Sequence, residues 1–162
     1  MKTLTAFLVL ILLSAPGAQA ADISQTAVMA PVTTINGAVP PGALLPLQNT
    51  ATMLDTVDAE DKRLFITMGT RKAGTRVGIH VHKHGGHTCV LSGEITDFVE
   101  GREPMKWPAG TCYYMPPGVP MSAANLGTVD ALLIDTFNLP RGEDYITILE
   151  PGYPGYAAGV SK

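Results

Sequence analysis

Four histidines, the only ones in the chain, lie within eight positions of each other in the segment "HVHKHGGH", residues 80–87. Neutral imidazole is the commonest metal ligand in proteins, and it is also the side chain that titrates nearest to neutral pH. A cluster of this density therefore predicts a metal site, an acid-base site or a polar turn.

Strand geometry favours the metal site among these three. The alternation of apolar residues in the segment 76–82 predicts a strand that turns His80 and His82 to the same face. Gly85 and Gly86 then favour a tight reversal, after which a returning strand would bring His87 beside His82. Three imidazoles at one end of a sheet would hold a metal and leave a position open for water or substrate. The alternative for His87 is the opposite face of its strand.

The same segment resembles the first sequence motif of the cupin superfamily, whose members are small β-barrels with the pattern G-x5-HxH-x(3,4)-E-x6-G. Gly74, His80, His82 and Gly93 match this pattern. The second cupin motif, G-x5-PxG-x2-H-x3-N, is matched within "GTCYYMPPGVPMSAAN", and the matching residues are Gly110, Pro116, Gly118 and Asn125. The resemblance implies a cupin-like antiparallel β-barrel, also called a double-stranded β-helix or jelly roll.

Two departures from the cupin pattern affect the ligand set that the resemblance implies. Met121 occupies the place of the histidine in the second motif, and the glutamate of the first motif falls on Gly86 or His87, depending on the spacing. We take His80, His82 and His87 as the predicted ligands of one divalent transition metal. Met121 is either core filling or a soft thioether ligand that would point to copper. Without it, copper, iron and zinc suit three imidazoles about equally.

Other polar residues near the motifs have more ordinary interpretations. Tyr113 and Tyr114 follow each other on the strand of the second motif, so one of them is expected to face inward, where it would either bind substrate or pack in the core with a satisfied hydroxyl. His84 lies in the predicted turn, where a solvated histidine is the usual case. Asp135 interrupts the apolar run "LLIDTF" and either faces the pocket or is a hydrogen-bonded structural group, which is the more usual case.

The rest of the chain is consistent with an all-β fold. About eight short segments show two-residue alternation between turn signals, and no segment after the N-terminus shows helical periodicity. We predict an N-terminal arm with an edge strand over 21–60, a β-barrel over 61–152 and a C-terminal tail over 153–162. Cys89 and Cys112 could form one disulfide or remain two small apolar residues.

The N-terminus predicts export. Residues 1–20 combine Lys2, an apolar run over 6–13 and the sequence Ala18-Gln19-Ala20, as in a cleaved secretory signal. Lys2 is the only charged residue of this segment, so its removal takes the formal net charge from −3 to −4. The expected location is periplasmic or secreted, with no membrane association after cleavage. No basic strip is present, which argues against a nucleic-acid partner.

The function that these features predict is a metal-dependent oxidoreductase of small molecules, with dioxygenase-like chemistry implied by the family resemblance alone. The alternative is a non-catalytic periplasmic protein that binds copper, another metal or a small ligand. A small-molecule ligand or substrate is the expected partner in both cases. The resemblance leaves a monomer and a homodimer open.

Overall fold

The computed structural model describes residues 30–156, and all of its regular structure is β-strand. The predicted signal segment 1–20 lies outside the described residues. The strands are β1 (Ala43–Leu44), β2 (Gln48–Val57), β3 (Lys62–Arg71), β4 (Thr75–Arg76), β5 (His80–Val81), β6 (Gly86–Ser92), β7 (Glu94–Val99), β8 (Met105–Pro108), β9 (Cys112–Met115), β10 (Met121–Ala124), β11 (Ala131–Pro140) and β12 (Thr147–Ile148). Within this range no helix is long and apolar enough to span a membrane.

The strands form two sheets that enclose the core. In one sheet the order is β1-β4-β10-β5-β12, and β7 and β8 extend it from β10. In the other sheet the order is β2-β3-β11-β6-β9. Every pairing between these strands is antiparallel except that of β1 with β4. The predicted all-β barrel is confirmed, with several two-residue strands in addition to the segments that alternation identified.

Alternation along β3 and β11 explains how the second sheet faces the core. Phe65, Gly69 and Arg71 on β3 are buried, as are Leu133 and Phe137 on β11, while their immediate neighbours along each strand are less buried. Because successive side chains on a strand point to opposite faces, these residues share the inner surface of the sheet. That surface forms one wall of the space between the sheets.

The turn at Gly85-Gly86 connects the two sheets and does not close a hairpin. β5 pairs with β10 and β12, whereas β6 pairs with β9 and β11. The hairpin that was predicted to bring His87 beside His82 is therefore wrong. A Cβ atom at Gly86 would approach the Phe137 ring of the neighbouring strand β11 to 2.7 Å, so glycine leaves room for that ring.

The segment 76–82 is not one continuous strand. β4 ends at Arg76 and β5 begins at His80, and the bend between them fits against Tyr153. A Cβ atom at Gly78 would lie 2.6 Å from Cγ of Tyr153, so the ring covers this glycine directly. The C-terminal segment is thus packed on the barrel at Tyr153, which is buried.

The remaining predicted features lie at the edges of the sheets. β1 and β2, both from the arm 21–60, each occupy the end of a sheet order. The disulfide Cys89–Cys112 is present and joins directly opposed residues of β6 and β9. It lies on the outer face of its sheet, because Thr88 and Tyr113 next to these cysteines face inward.

Candidate functional site

A cavity of about 1640 Å³ lies between the two sheets, and several polar side chains line it. Its polar lining includes Arg71, His80, His82, Thr88, Tyr113, Asp135 and Tyr153, and its apolar lining includes Phe65, Val77, Met115, Met121, Leu133 and Phe137. A cavity with an apolar body and a few convergent polar groups is the usual form of a small-molecule site.

His80 and His82 form a buried pair in this cavity, with side chains that are only 4% and 3% exposed. Their Nε2 atoms are 3.1 Å apart. The His80 Nδ1–H donates to the Gly78 carbonyl oxygen at 2.8 Å, and the His82 Nδ1–H donates to that of Tyr145 at 2.6 Å. The sequence prediction that these two imidazoles share a face holds, although the strand bends before them.

These hydrogen bonds determine the tautomers of both rings. A carbonyl oxygen can only accept, so each Nδ1 must carry a proton, and in a neutral ring Nε2 is then a bare lone pair. Burial lowers the pKa of His80 to about 3, and the neighbouring His82 adds to this shift. Burial also lowers the pKa of His82, partly offset by the Tyr145 carbonyl. Two uncompensated lone pairs therefore face each other, an arrangement that a shared cation would stabilise.

The separation of the two Nε2 atoms fits a metal ion. With metal–nitrogen bonds of about 2.0–2.1 Å, two imidazoles would be about 2.9 Å apart in right-angle coordination and about 3.4 Å apart in tetrahedral coordination. The 3.1 Å separation lies between these values. The carbonyl partners of the two Nδ1 atoms are the kind of outer contact that orients metal-binding histidines.

Met121 is the direct cross-strand partner of His80 on β10. Opposed residues of an antiparallel pair point to the same face, so the Met121 side chain adjoins the His80 ring. Met121 is fully buried and lines the same cavity. Its thioether is therefore available both to pack against the imidazoles and to act as a weak, soft ligand.

The structure separates His87 from this pair and corrects its predicted role. On β6, Gly86 and Thr88 face inward, and His87 points to the outer surface, where its ring packs against Tyr114 at a centroid distance of 5.2 Å. Its side chain is exposed and lies outside the cavity lining, so the proposed third imidazole is absent from the site. No group of three or more histidine, cysteine or acidic side chains within 30–156 is arranged to hold a metal.

The other predicted residues divide between the cavity and the surface. Tyr113 lines the cavity, whereas Tyr114 is 48% exposed on the outer face. His84 lies in the turn, as predicted, and its Nε2 is 2.8 Å from a carboxylate oxygen of Glu143. Of the two tyrosines, only Tyr113 can contact a ligand in the cavity.

Asp135 and Arg71 are cavity residues to which sequence reasoning assigned no functional role. The Thr88 hydroxyl donates to Asp135 Oδ1 at 2.6 Å, and burial raises the pKa of Asp135 to about 6, against the effects of Thr88 and Arg71. Burial, with the charge of Asp135, also raises the pKa of Tyr113. The alternation of β3 and β11 could have indicated both inward positions, but the sequence contains no motif around either residue.

Replacing Asp135 with Asn should remove a pH dependence of stability. The folded-state pKa is raised above the ordinary value of 3.8, so the folded chain retains its proton longer and loses stability as pH rises from about 4 to about 6. Relative to the wild type, Asp135→Asn should gain about 1–3 kcal/mol across this interval and keep the gain at higher pH. Urea unfolding at several pH values measures this difference, and a constant difference from pH 4 to pH 8 would contradict the buried carboxyl group.

Comparisons with known proteins support the fold alone. No protein-family model matches the chain, and no curated protein matches it. Solved structures do match. The structure of the DMSP lyase DddQ from Ruegeria pomeroyi aligns with a TM-score of 0.51 at 18% identity, over 64% of this chain and 53% of that one. The chain thus spans about half the length of that lyase.

Two further solved structures align over most of their own length. One is an uncharacterised protein with a double-stranded β-helix domain from Klebsiella pneumoniae, with a TM-score of 0.49, 22% identity, and coverage of 66% of this chain and 90% of that one. The other is a Cupin 2 conserved barrel domain protein from Salinispora arenicola, with a TM-score of 0.48, 16% identity, and coverage of 60% and 82%.

Proposed function

Because the chain has the cupin-type double-stranded β-helix fold, we propose that the cavity between its sheets is a metal-dependent site for a small molecule. His80 and His82 hold one divalent transition metal, and Met121 lies beside them. The protein is exported to the periplasm or the medium, which the signal-like N-terminus and the Cys89–Cys112 disulfide support.

One observation carries this proposal: the two buried Nε2 atoms, 3.1 Å apart, with both Nδ1 protons donated to carbonyl oxygens. A polar interior surface of this kind costs free energy unless a partner satisfies it. A transition metal would satisfy both lone pairs at once and would act there as a Lewis acid or redox centre.

The reaction that we propose first is the oxidation of a small molecule by O2, with both oxygen atoms entering the product, as a dioxygenase does. His80 and His82 would hold the metal, and the metal would supply redox chemistry between substrate and O2. The tyrosine that faces the cavity, Tyr113, would orient the substrate, and Asp135 would accept or return a proton at its carboxyl group. The apolar lining would exclude bulk water from the reacting groups.

The second candidate is a non-catalytic copper binder. It is favoured by the soft thioether of Met121 beside His80 and by the outward orientation of His87, which leaves two imidazoles in the cavity. Imidazole with thioether suits copper better than it suits manganese or magnesium. A storage or transport protein of this type should consume no O2 in the presence of candidate substrates.

Removing one imidazole tests the metal site. In His82→Ala, the loss of one ligand should weaken metal binding by about 100-fold. This figure assumes that each ligand contributes about 3 kcal/mol to the free energy of metal binding. Copper, iron and zinc contents are measured by elemental analysis after anaerobic loading and gel filtration. His87→Ala is the matched control, because it removes an imidazole of the same chain from the outer face.

The metal contents of the two variants decide whether the site exists. Equal metal content in His82→Ala and the wild type would eliminate the site, as would loss of the metal in His87→Ala alone. Met121→Leu then distinguishes the candidates: a selective loss of copper affinity with zinc affinity retained supports the thioether as a ligand. Unchanged copper affinity shows that Met121 only packs against the rings.

A further inference from the structure

Arg71 is a buried cation in the wall of the cavity. It is the last residue of β3, its side chain is only 3% exposed, and it lines the space between the sheets. One of its terminal nitrogens, Nη1, donates to the carbonyl oxygen of Leu45, but its Nε atom is buried with no hydrogen-bond partner among the described residues. A guanidinium remains charged in proteins even when burial lowers its pKa, as it does here.

A second buried arginine shows what Arg71 lacks. Arg76 is 4% exposed, and it donates two hydrogen bonds to the Glu150 carboxylate, at 2.6 and 2.7 Å. Within residues 30–156, Arg71 forms no ion pair with any carboxylate. A buried charge is normally paired, because its desolvation is costly. Arg71 thus has a full charge without a carboxylate partner, at the wall of a cavity large enough for a ligand.

The surroundings of Arg71 define where such a ligand would lie. Burial lowers the pKa of Arg71, and this shift is opposed by Tyr153, whose phenol is within hydrogen-bond reach, and by the charges of Tyr113 and Asp135. Arg71 and the histidine pair line the same cavity. The apolar and aromatic part of that lining includes Phe65, Leu133 and Phe137.

We propose that Arg71 binds the carboxylate of a small organic acid whose apolar body lies in the cavity between Arg71 and the His80–His82 pair. This inference deepens the proposed function and rests on it for the chemistry at the metal, but the carboxylate contact itself requires no metal. A planar guanidinium matches a carboxylate in shape and charge. One arginine balances one negative charge, which favours a monocarboxylate over a phosphate dianion.

Binding to the metal-free protein tests this contact directly. The protein is treated with EDTA, dialysed and titrated calorimetrically with acetate, hexanoate and benzoate, and with benzamide as the neutral analogue of benzoate. We expect benzoate or hexanoate to bind, and benzamide to bind at least about ten-fold more weakly than benzoate, because a charge-assisted hydrogen bond is lost. Arg71→Gln should weaken carboxylate binding at least about ten-fold, and Arg71→Lys should weaken it less.

A control variant and a measurement of metal content separate this inference from the proposed metal site. Arg63→Gln changes an arginine of the same strand that pairs with the exposed Asp55, and it should bind benzoate as the wild type does. Arg71→Gln should retain the metal content of the wild type. Loss of carboxylate binding with metal retained therefore assigns the contact to Arg71 and leaves the metal site intact.

Three results would overturn the inference: no carboxylate of the series binds, benzamide binds as tightly as benzoate, or Arg71→Gln binds benzoate as tightly as the wild type. If Arg71→Gln fails to fold by circular dichroism, the comparison of benzoate with benzamide on the wild type decides the matter. A metal that fails to bind while benzoate binds through Arg71 rejects the proposed metal site and keeps the carboxylate contact.

Discussion

Replacing Glu150 with Gln is expected to lower the free energy of unfolding by about 3–5 kcal/mol, the usual cost of breaking a buried ion pair on one side. Glu150 and Arg76 are 6% and 4% exposed, and the bond between them is bidentate. Glu150 also accepts the backbone N–H of Ile79 at 2.8 Å. The substitution would leave the Arg76 charge buried without compensation, beside the residue that precedes His80.

The hydrogen bonds to Glu150 make the free energy of unfolding depend on pH. Burial by itself would raise the pKa of Glu150, but the bonds from Arg76 and the Ile79 N–H outweigh it and lower that pKa below the ordinary value of 4.5. The stabilisation is therefore present above pH 4.5 and is lost as pH falls through the lowered pKa. In Glu150→Gln this part of the acid sensitivity should be missing.

Urea unfolding measures the loss, with Glu143→Gln as the control. Glu143 pairs with Lys83 at the surface, and an exposed pair contributes at most about 1 kcal/mol. The double variant Arg76→Met, Glu150→Leu should recover much of the stability, because apolar groups of similar size can replace a buried pair. A loss below 1 kcal/mol in Glu150→Gln would show that water reaches the ion pair and that the pair contributes little to the stability of the fold.

Removing the disulfide is expected to cost about 3 kcal/mol, the entropy that a cross-link over a separation of 23 residues removes from the unfolded chain. Cys89 and Cys112 are opposed on β6 and β9, on the outer face of the sheet. The double variant Cys89→Ser, Cys112→Ser should therefore lose stability while keeping the cavity, the histidine pair and metal binding.

Unfolding of the wild type with and without dithiothreitol provides the matched measurement. Reductant should destabilise the wild type to the level of the double serine variant and should leave that variant unchanged. A wild type that is equally stable under both conditions would show that the bond makes no contribution or does not form. Loss of metal binding in the serine variant would contradict the placement of the bond away from the site.

Much of the fold could be predicted from the sequence because its determinants are local. Two-residue alternation places side chains on alternate faces of a strand, whatever the partner strand is. The motif glycines occupy turns, and Gly93 has a φ of 75°, with Ala131 only 2.8 Å from a hypothetical Cβ atom. Asn125 of the second motif is fully buried and donates to the carbonyl oxygens of Arg71 and Val129, so it ties two turns together.

The prediction that His80 and His82 share a face was correct, whereas the prediction that His87 on the next strand joins them was wrong. His80 and His82 are two positions apart, so local geometry turns them to the same side. The position of His87 depended on which strand β6 would pair with, and it pairs in the opposite sheet and points its odd-numbered residues outward. A shift of one residue in register or direction exchanges the two faces of a strand, and the glycine turn alone does not determine that choice.

The sequence by itself determined the β-rich barrel, the cupin resemblance, the inward histidine pair and the two cysteines available for a bond, because each follows from spacing along the chain. Only the tertiary structure decided that Met121 lies opposite His80, that Asp135 and Arg71 share the cavity, and that Arg71 lacks the carboxylate that Arg76 has. The physical reason is that burial and charge pairing depend on strands distant in sequence, and their free energies are set when the two sheets close on each other.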